Sequence, residues 1–292
     1  MSVRRTLGQK TIRCGCSVTV VRQKRKLNDG TQEELYLTSG QCLRMKDKDQ
    51  KRKVKSMVKQ VLVDGDTFAY RAAFSCEDSS LDDAIDKVDE LIDDALNKVM
   101  WEVSEDGFQV FLTGKGNFRY DIAITHEYKG NRKGAEKPRH LQGIRDHMIA
   151  EWGAIVSEGE EADDLIGIWS TDYGSDCLVV SIDKDMMQLP CHHYNPNRRS
   201  FSKVSKVNGN RFFYSQILTG DKADNIIGLY GIGPKKAERI LEDCESEEDM
   251  YEACLRSYNG DEDRVIENGR LLWLRRFVGQ IWEPPKCTTD QA

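Results

Sequence analysis

Acidic residues stand in four short clusters, each placed where a predicted strand ends or a predicted helix begins. The clusters are Asp64; Glu161, Asp163 and Asp164; Asp183 and Asp185; and Asp221 and Asp224. Because the carboxyl ends of parallel strands share one edge of a sheet, we expect these carboxylates to converge there. A single Asp at a helix start is usually an N-cap, which would explain Asp163 or Asp221 alone but not the whole set.

Such a concentration of carboxylates predicts a metal site. Like charges gathered in one cleft repel one another, and hard divalent cations relieve that repulsion. A set of oxygen ligands without His or Cys favours Mg²⁺ or Mn²⁺ over zinc. Two such ions can activate a water molecule and stabilise the leaving oxygen of a phosphodiester.

A glycine-rich segment at residues 228–237 has the features of a backbone-binding motif. Gly231 and Gly233 allow a sharp turn before a predicted helix, which is the signature of a helix-hairpin-helix. Backbone amides at that helix start, with Lys235 and Lys236 beside them, can bind a DNA phosphate without distinguishing base sequence. The plainer interpretation is an ordinary glycine-rich connection between helices.

A basic segment, residues 120–150, contains few apolar residues and is therefore predicted to be exposed. Within it, Lys129 and Arg132 lie three positions apart and could face one phosphate if the segment is helical. Tyr128 could stack on a base. Without the acidic clusters, the same residues would indicate only a solvated surface loop.

The elements that would position these residues follow from hydrophobic periodicity. Short β-branched runs alternate with longer amphipathic stretches from Val61 onward, which predicts an α/β fold with a mainly parallel, twisted sheet flanked by helices. The predicted strands cover residues 61–63, 110–112, 154–156 and 178–182. A helix is predicted over residues 81–99, with Ser80 as its N-cap.

The pattern changes twice along the chain and predicts three parts. A hairpin is expected over residues 194–214, around Asn208-Gly209, and only helices are expected beyond it, the last from Arg264 to Trp282. The predicted parts are a basic extension, an α/β core and a helical DNA-binding domain, at residues 1–59, 60–214 and 215–292.

Charge sets the first sixty residues apart. They hold 16 Lys and Arg against 5 Asp and Glu, a net charge of +11, whereas the 292-residue chain as a whole carries −6. This arm is either a polyanion-binding element or a solvated extension. A small hairpin is expected around the turn at residues 28–30. Cys14, Cys16 and Cys42 supply only three of the four ligands of a structural zinc site and are expected to be ordinary thiols.

Composition limits the class of protein. Hydrophobic residues make up 39% of the chain, which excludes wholesale disorder, and the nine scattered cysteines are typical of a reduced compartment. No apolar stretch approaches the roughly 20 residues that span a bilayer. The sequence therefore predicts a cytoplasmic protein without a membrane partner or an organic cofactor.

These motifs, in this order, resemble the 5′-nuclease superfamily of flap endonucleases and 5′–3′ exonucleases, and are most similar to the exonucleases of short-tailed bacteriophages. The resemblance covers about residues 60–245. It rests on Val63-Asp64-Gly65 with Arg71, Glu127-Tyr128-Lys129-Gly130-Asn131-Arg132, Glu161-Ala162-Asp163-Asp164, Ser181-Ile182-Asp183-Lys184-Asp185 and Gly220-Asp221-Lys222-Ala223-Asp224-Asn225. It implies the PIN-like core of that superfamily, followed by a helix-hairpin-helix domain.

The resemblance also implies an activity, the Mg²⁺-dependent hydrolysis of DNA, or of an RNA–DNA hybrid, from 5′ ends. The enzyme would act as a 5′–3′ exonuclease or a flap endonuclease on duplexes with 5′ ends and on flaps, in replication, primer removal or DNA degradation. One ion would lie near Asp64, Glu161 and Asp163, and the other near Asp183, Asp185, Asp221 and Asp224, with Asp164 counted among the acids of the site. Catalysis would involve Asp64, Asp183, Lys129 and Arg132, the two basic residues lying beside the scissile phosphate at the base of a helical arch. Contacts to DNA would come from Arg71, Tyr128, Gly231, Gly233, Lys235 and Lys236. Mn²⁺ would substitute for Mg²⁺, and K⁺ would bind at the helix-hairpin-helix.

One position departs from the family pattern, and two rival interpretations stay open. The superfamily carries a further Asp at the end of the second strand, where this chain has Thr113-Gly114; Asp121 is the nearest acid. A haloacid-dehalogenase-type phosphatase would use Asp64 as nucleophile and Asp66 as acid, but would leave the other motifs without a role. A DNA-binding module without catalysis would not need the acids.

Overall fold

A computed structural model describes residues 11–13, 19–26, 32–39, 58–99 and 107–285. The chain forms two compact units, residues 1–52 and residues 53–292. In the first unit, β1 (Thr11–Arg13), β2 (Thr19–Lys26) and β3 (Gln32–Ser39) form an antiparallel sheet in that order. The predicted hairpin is therefore confirmed in its strands. Its turn and the three cysteines considered as zinc ligands lie outside the described residues.

The second unit is built on a six-stranded sheet. Its strands are β4 (Gln60–Asp64), β5 (Phe108–Lys115), β6 (Ile155–Glu158), β7 (Cys177–Val180), β8 (His192–Asn195) and β9 (Ser200–Lys203). They lie in the order β6-β5-β4-β7-β8-β9, and each neighbouring pair is parallel except β8 with β9. The predicted mainly parallel sheet is confirmed. Because β4 lies between β5 and β7, the carboxyl ends of β4 and β7 are neighbours, with Val63 paired to Val180.

Helices connect these strands and follow them. They are α1 (Gly65–Ser75), α2 (Leu81–Val99), α3 (Arg119–Ile122), α4 (Leu141–Trp152), α5 (Ala162–Tyr173), α6 (Lys206–Thr219), α7 (Pro234–Leu241), α8 (Glu247–Ser257) and α9 (Glu262–Leu272). A two-stranded ribbon of β10 (Gly220–Asp221) and β11 (Ile226–Ile227) follows α6. None of these helices is long and apolar enough to cross a membrane.

The central strands β4 and β7 are buried along their whole length because both faces of the sheet are covered. Val61 and Val63 pack into a core with α1, α2 and α4, whereas Leu62, between them, packs into a second core with α5. A third core joins α6 to α9, with Phe213 and Ile217 at its centre. The helices predicted beyond Ser215 are thus present, within the same compact unit as the sheet, but they are not the only elements there, because the β10–β11 ribbon lies among them. Their status as a separate domain stays a prediction.

The predicted helix over residues 81–99 is confirmed. Its apolar positions, including Val88 and Ile92, are fully buried, and the backbone amide of Asp83 donates to the Ser80 hydroxyl over 3.1 Å. This bond satisfies one of the amides that a helix start leaves unpaired.

The hairpin predicted around Asn208-Gly209 is wrong. The hairpin that forms is β8–β9, and both residues lie instead in α6, where the Ser205 hydroxyl accepts from the Asn208 amide. The helix cap and the buried apolar side chains of α6 prevail over the turn preference of the Asn-Gly pair. Gly209 serves close packing there, since a Cβ at this position would lie 2.5 Å from the Gln188 carbonyl oxygen.

Two further expectations are wrong in part. The basic segment is not exposed throughout, because its last third forms α4, whose side chains Leu141, Ile144 and Met148 are buried against the sheet. The last helix ends at Leu272 rather than at Trp282, because the backbone turns extended at Trp273.

Candidate active site

Asp64 lies where β4 ends and α1 begins. Its carboxylate caps α1 by accepting from the Thr67 amide at 3.2 Å, and it accepts from the Ser181 hydroxyl, beyond the end of β7, at 2.6 Å. The side chain is 3% exposed. Burial raises the pKa of Asp64 to about 6. This carboxylate therefore stands at the junction of the two central strands.

Asp163, at the start of α5, reaches the same edge. Burial and the neighbouring charges of Asp64 and Asp183 raise the pKa of Asp163 well above its usual range. Glu161 occupies the N-cap position of the same helix. The acids that follow β4 and β6 are therefore close enough to repel one another, as the sequence predicts.

The two acids that follow β7, Asp183 and Asp185, lie at the same edge of the sheet. The Ser181 hydroxyl, which donates to Asp64, also accepts from the Asp183 amide at 2.9 Å, and so ties the two loops together. Asp183 is exposed, whereas Asp185 is half-buried and accepts from Gln216 at 2.7 Å. Burial, with the nearby charge of Asp183, raises the pKa of Asp185 to about 7.

The β10–β11 ribbon brings the last pair of acids to the site. Asp221 is buried and accepts from the Lys184 ammonium at 2.8 Å and from the Ala223 amide at 2.7 Å. Asp224 accepts from the Arg132 guanidinium at 2.9 Å, and burial raises its pKa. Seven of the eight predicted ligands thus surround one region at the carboxyl edge of the sheet.

Lys129 and Arg132 face these acids. The Lys129 ammonium pairs with Glu161 and lies 3.7 Å from an Asp224 oxygen. Burial alone would lower the pKa of Lys129, but the nearby carboxylate of Glu161 raises this pKa above its usual value. The backbone at Lys129 has a φ of 53° and its amide donates to the Asp224 carbonyl at 2.9 Å. A left-handed conformation is uncommon for a lysine and here aims the side chain into the site.

Tyr128 does not present its ring to a base. It is 2% exposed, and its hydroxyl lies 2.8 Å from Asp224 and 3.0 Å from Glu161. The ring packs in the helical core, so Tyr128 fixes the spacing of two acids instead of stacking on DNA. The basic spacing in the sequence carried no sign of this burial.

Asp164 is not available as a metal ligand. It is fully buried and forms a bidentate ion pair with Arg119, with N–O distances of 2.6 and 2.9 Å. Burial alone would raise the pKa of Asp164, but this guanidinium holds it below the usual value. The sequence could not reveal the pairing, because Arg119 lies 45 positions earlier in the chain.

Thr113 stands where the family pattern has a further Asp, and two hydrogen bonds hold it in place. Its hydroxyl accepts from the Ala162 amide at 3.0 Å, and its backbone amide donates to Asp66 at 2.8 Å. Asp66 also pairs with Arg145. These contacts hold the Asp66 carboxylate against Thr113 and Arg145, whereas the phosphatase interpretation needs this carboxylate to reach a substrate. Asp121 lies on α3 and is exposed.

The predicted DNA-contacting residues other than Tyr128 lie at the surface. Arg71 on α1 is exposed and donates to Asn197 at 2.7 Å. Gly231 has a φ of 74°, and Gly233 is the N-cap of α7, with the exposed Lys235 and Lys236 in its first turn. Tyr230, directly before Gly231, has a fully exposed side chain, and no motif in the sequence singles it out.

The donors suit a hard divalent cation. All seven carboxylates offer oxygen. Burial first, and then the neighbouring negative charges, raise the pKa values of Asp163 and Asp185, and a cation would neutralise those charges. Within residues 58–99 and 107–285, no three acidic, His or Cys side chains already enclose a common point. Instead, the ammonium groups of Lys129 and Lys184 lie among the carboxylates.

Comparisons with known proteins agree with this geometry. Residues 59–222 match the family model of the 5′-3′ exonuclease N-terminal, resolvase-like domain. A flap endonuclease Xni of Vibrio campbellii is 30% identical over 51% of this chain and 64% of its own, and a 5′-3′ exonuclease of Buchnera aphidicola is 29% identical over 65% and 72%. The solved bacteriophage T5 D15 protein shares the fold, with a TM-score of 0.56 at 19% identity over 73% of this chain and 88% of its own.

The chain belongs to the 5′-3′ exonuclease family, within the 5′-nuclease superfamily. This assignment confirms the resemblance drawn from the five motifs, and the phosphatase interpretation is not supported. The chain spans about two thirds of the length of the Vibrio relative and 10% of a DNA polymerase I of Rhizobium leguminosarum. Similarity to the exonucleases of short-tailed phages in particular stays a prediction.

Proposed function

We propose that this protein is a Mg²⁺-dependent nuclease that hydrolyses phosphodiester bonds of DNA from 5′ ends. The observation that carries the proposal is the convergence of seven carboxylates at the carboxyl edge of β4 and β7, with Lys129 and Arg132 facing them. The membership of residues 59–222 in the exonuclease family supports the same conclusion.

The carboxylates divide into two groups that would each hold one ion. Asp64, Glu161 and Asp163 form the first, and the four acids beyond β7 form the second: Asp183, Asp185, Asp221 and Asp224. Asp164 takes no part, because Arg119 already neutralises it. When bound, Mg²⁺ or Mn²⁺ would lower the pKa of an attacking water and stabilise the leaving oxygen. A structure of the T5 flap endonuclease, which shares this fold, is described as a complex with DNA and metal ions.

Lys129 and Arg132 would act on the substrate. Both now pair with carboxylates, and cations that neutralise those carboxylates would free the two side chains for a phosphate. A positive charge placed where negative charge grows in the transition state lowers the barrier. We therefore assign the binding and polarisation of the scissile phosphate to these two residues.

The helix-hairpin-helix would hold the DNA backbone. The first turn of α7 contains no acidic residue, so the positive end of the helix dipole is not neutralised there, and Lys235 and Lys236 add positive charge. The turn at Gly231, where the carbonyl accepts from the Lys236 ammonium at 2.7 Å, is where the K⁺ ion would bind.

Replacing both Lys235 and Lys236 by alanine should weaken binding to all DNA sequences alike. Each lost phosphate contact should reduce the slope of log affinity against log salt by about 0.9, while the rate at saturating DNA is retained. Fluorescence anisotropy with several duplex sequences over a range of salt measures both quantities. A variant that replaces the exposed Lys98 and Lys203 carries the same charge change as a control. A loss confined to particular sequences would contradict a backbone-holding role.

The activity itself is tested with three substrates. Purified protein should release acid-soluble nucleotides from duplex DNA with Mg²⁺, lose this activity in chelator and regain it when Mg²⁺ is added in excess. It should not hydrolyse p-nitrophenyl phosphate. Efficient hydrolysis of that small monoester, with intact DNA, would restore the phosphatase interpretation. A labelled RNA–DNA hybrid treated in parallel decides whether hybrids belong to the substrate range.

A further inference from the structure

Arg119 is the largest fully buried side chain near the site. Besides the two bonds to Asp164, its guanidinium donates to the carbonyl oxygens of Leu271 and Trp273, each at 2.8 Å. The Nη1 atom of Arg119, which also donates to Asp164, lies 3.9 Å from a carboxylate oxygen of Glu161. Arg119 therefore connects the first turn of α5, which carries two of the candidate ligands, to the chain beyond α9.

The segment that Arg119 grips, residues 271–276, is itself bound to α5. The Arg275 amide donates to Asp164 at 3.1 Å, and its guanidinium pairs with Glu160 at 2.7 Å. The packing against α5 is close, since a Cβ on Gly167 would lie 2.3 Å from the Arg275 carbonyl oxygen. We call residues 271–276 the brace segment.

The brace segment also binds the short 3₁₀ helix that follows β7, at residues Asp185–Gln188. The Gln188 amide nitrogen donates to the Leu272 carbonyl at 2.8 Å, and its oxygen accepts from the Leu274 amide at 3.2 Å. Gln188 in turn contacts Gln216, which donates to Asp185. One buried segment thus contacts the supports of both carboxylate groups.

We propose that Arg119 and the brace segment set the spacing between the two groups of carboxylates, with Arg119 as a positioning residue. The inference rests on the proposed function. Four of the five N–H groups of Arg119 are used in fixed directions, which only a guanidinium can satisfy. The brace segment lies beyond residues 59–222, the part that matches the exonuclease family model.

The test is the variant Arg119→Lys, which keeps the charge but cannot form the paired bonds. Mn²⁺ affinity is measured without DNA from the electron paramagnetic resonance signal of the free ion, and the single-turnover rate is measured separately. We expect Mn²⁺ to bind at least tenfold more weakly, and the rate to fall at least tenfold and recover in part at high metal concentration. DNA affinity in chelator should change less than twofold.

A matched variant separates positioning from stability. Tyr258→Phe removes a buried hydroxyl that donates to the Ile217 carbonyl at 2.7 Å, in the helical core away from the carboxylates. It should lower the melting temperature and leave Mn²⁺ affinity and rate unchanged. If Arg119→Lys does not fold, Arg275→Lys takes its place with the same expectation. This variant disturbs the pair with Glu160, the bond to the Gln280 carbonyl and the stacking on the Phe118 ring.

The outcomes are distinguishable. A folded variant with wild-type Mn²⁺ affinity and rate would overturn the brace while leaving the proposed nuclease intact. Wild-type protein that binds no Mn²⁺ and cleaves no DNA would overturn both. Weaker Mn²⁺ binding in Tyr258→Phe as well would show that general destabilisation, and not the brace, controls the site.

Discussion

Replacing Asp183 by alanine should abolish DNA hydrolysis while leaving DNA binding largely intact. Asp183 is exposed at the edge of the site and lies close enough to Asp163 and Asp185 to raise their pKa values. Loss of a metal ligand removes several kcal/mol of transition-state stabilisation, which corresponds to a rate loss of at least about 10²-fold. Removal of one negative charge also reduces repulsion of the DNA phosphates, so affinity should not fall.

Single-turnover cleavage with enzyme in excess measures the first effect, and binding in Ca²⁺ measures the second. Asp172→Ala is the matched control, because Asp172 is an exposed acid on α5 and its loss changes the net charge equally. The control should cleave at the wild-type rate. If Asp183→Ala also kept a rate close to wild type, the assignment of the acids that follow β7 to the metal site would be wrong.

Replacing Lys129 by alanine should lower the single-turnover rate much more than it lowers affinity for DNA. The left-handed backbone at this residue and the bond from its amide to Asp224 aim the ammonium between Glu161 and Asp224. A cation beside the phosphate that gains charge in the transition state is worth a few kcal/mol, or about 10²-fold in rate.

Lys133→Ala provides the comparison, since Lys133 is a solvent-exposed lysine of the same segment that pairs with Glu127. An exposed pair of this kind contributes little, so the control should change affinity slightly and the rate not at all. If Lys129→Ala behaved like Lys133→Ala, with an unchanged single-turnover rate and only weaker binding, Lys129 would belong to the DNA-holding surface.

Local signals in the sequence are sufficient to predict strands β4 to β7 and the acids that follow them, but not β8 and β9. Asp64 and Asp183 each follow a hydrophobic run, and a parallel sheet places the ends of such runs together whatever the intervening chain does. The helix over residues 81–99 was predictable because its cap and its apolar period are both local.

The errors arose where contacts between distant residues decide the outcome. Asp164 looks like its neighbour Asp163 in the sequence, and only the buried Arg119 distinguishes them. Tyr128 lies in a basic, polar segment and yet is buried, because the helical core packs over it. Gly209 follows an Asn, as in many turns, but its lack of a side chain is needed where α6 approaches Gln188.

The most direct test of the account is the direction in which DNA is degraded. One duplex is labelled at its 5′ ends and an otherwise identical duplex at its 3′ ends, and both are digested with Mg²⁺ under the same conditions. The account predicts that the 5′ label is released first, as mononucleotides or short oligonucleotides, while the 3′ label stays in fragments that shorten gradually, and that chelator stops both. Earlier release of the 3′ label, or duplexes that stay intact after long incubation with Mg²⁺ or Mn²⁺, would contradict it.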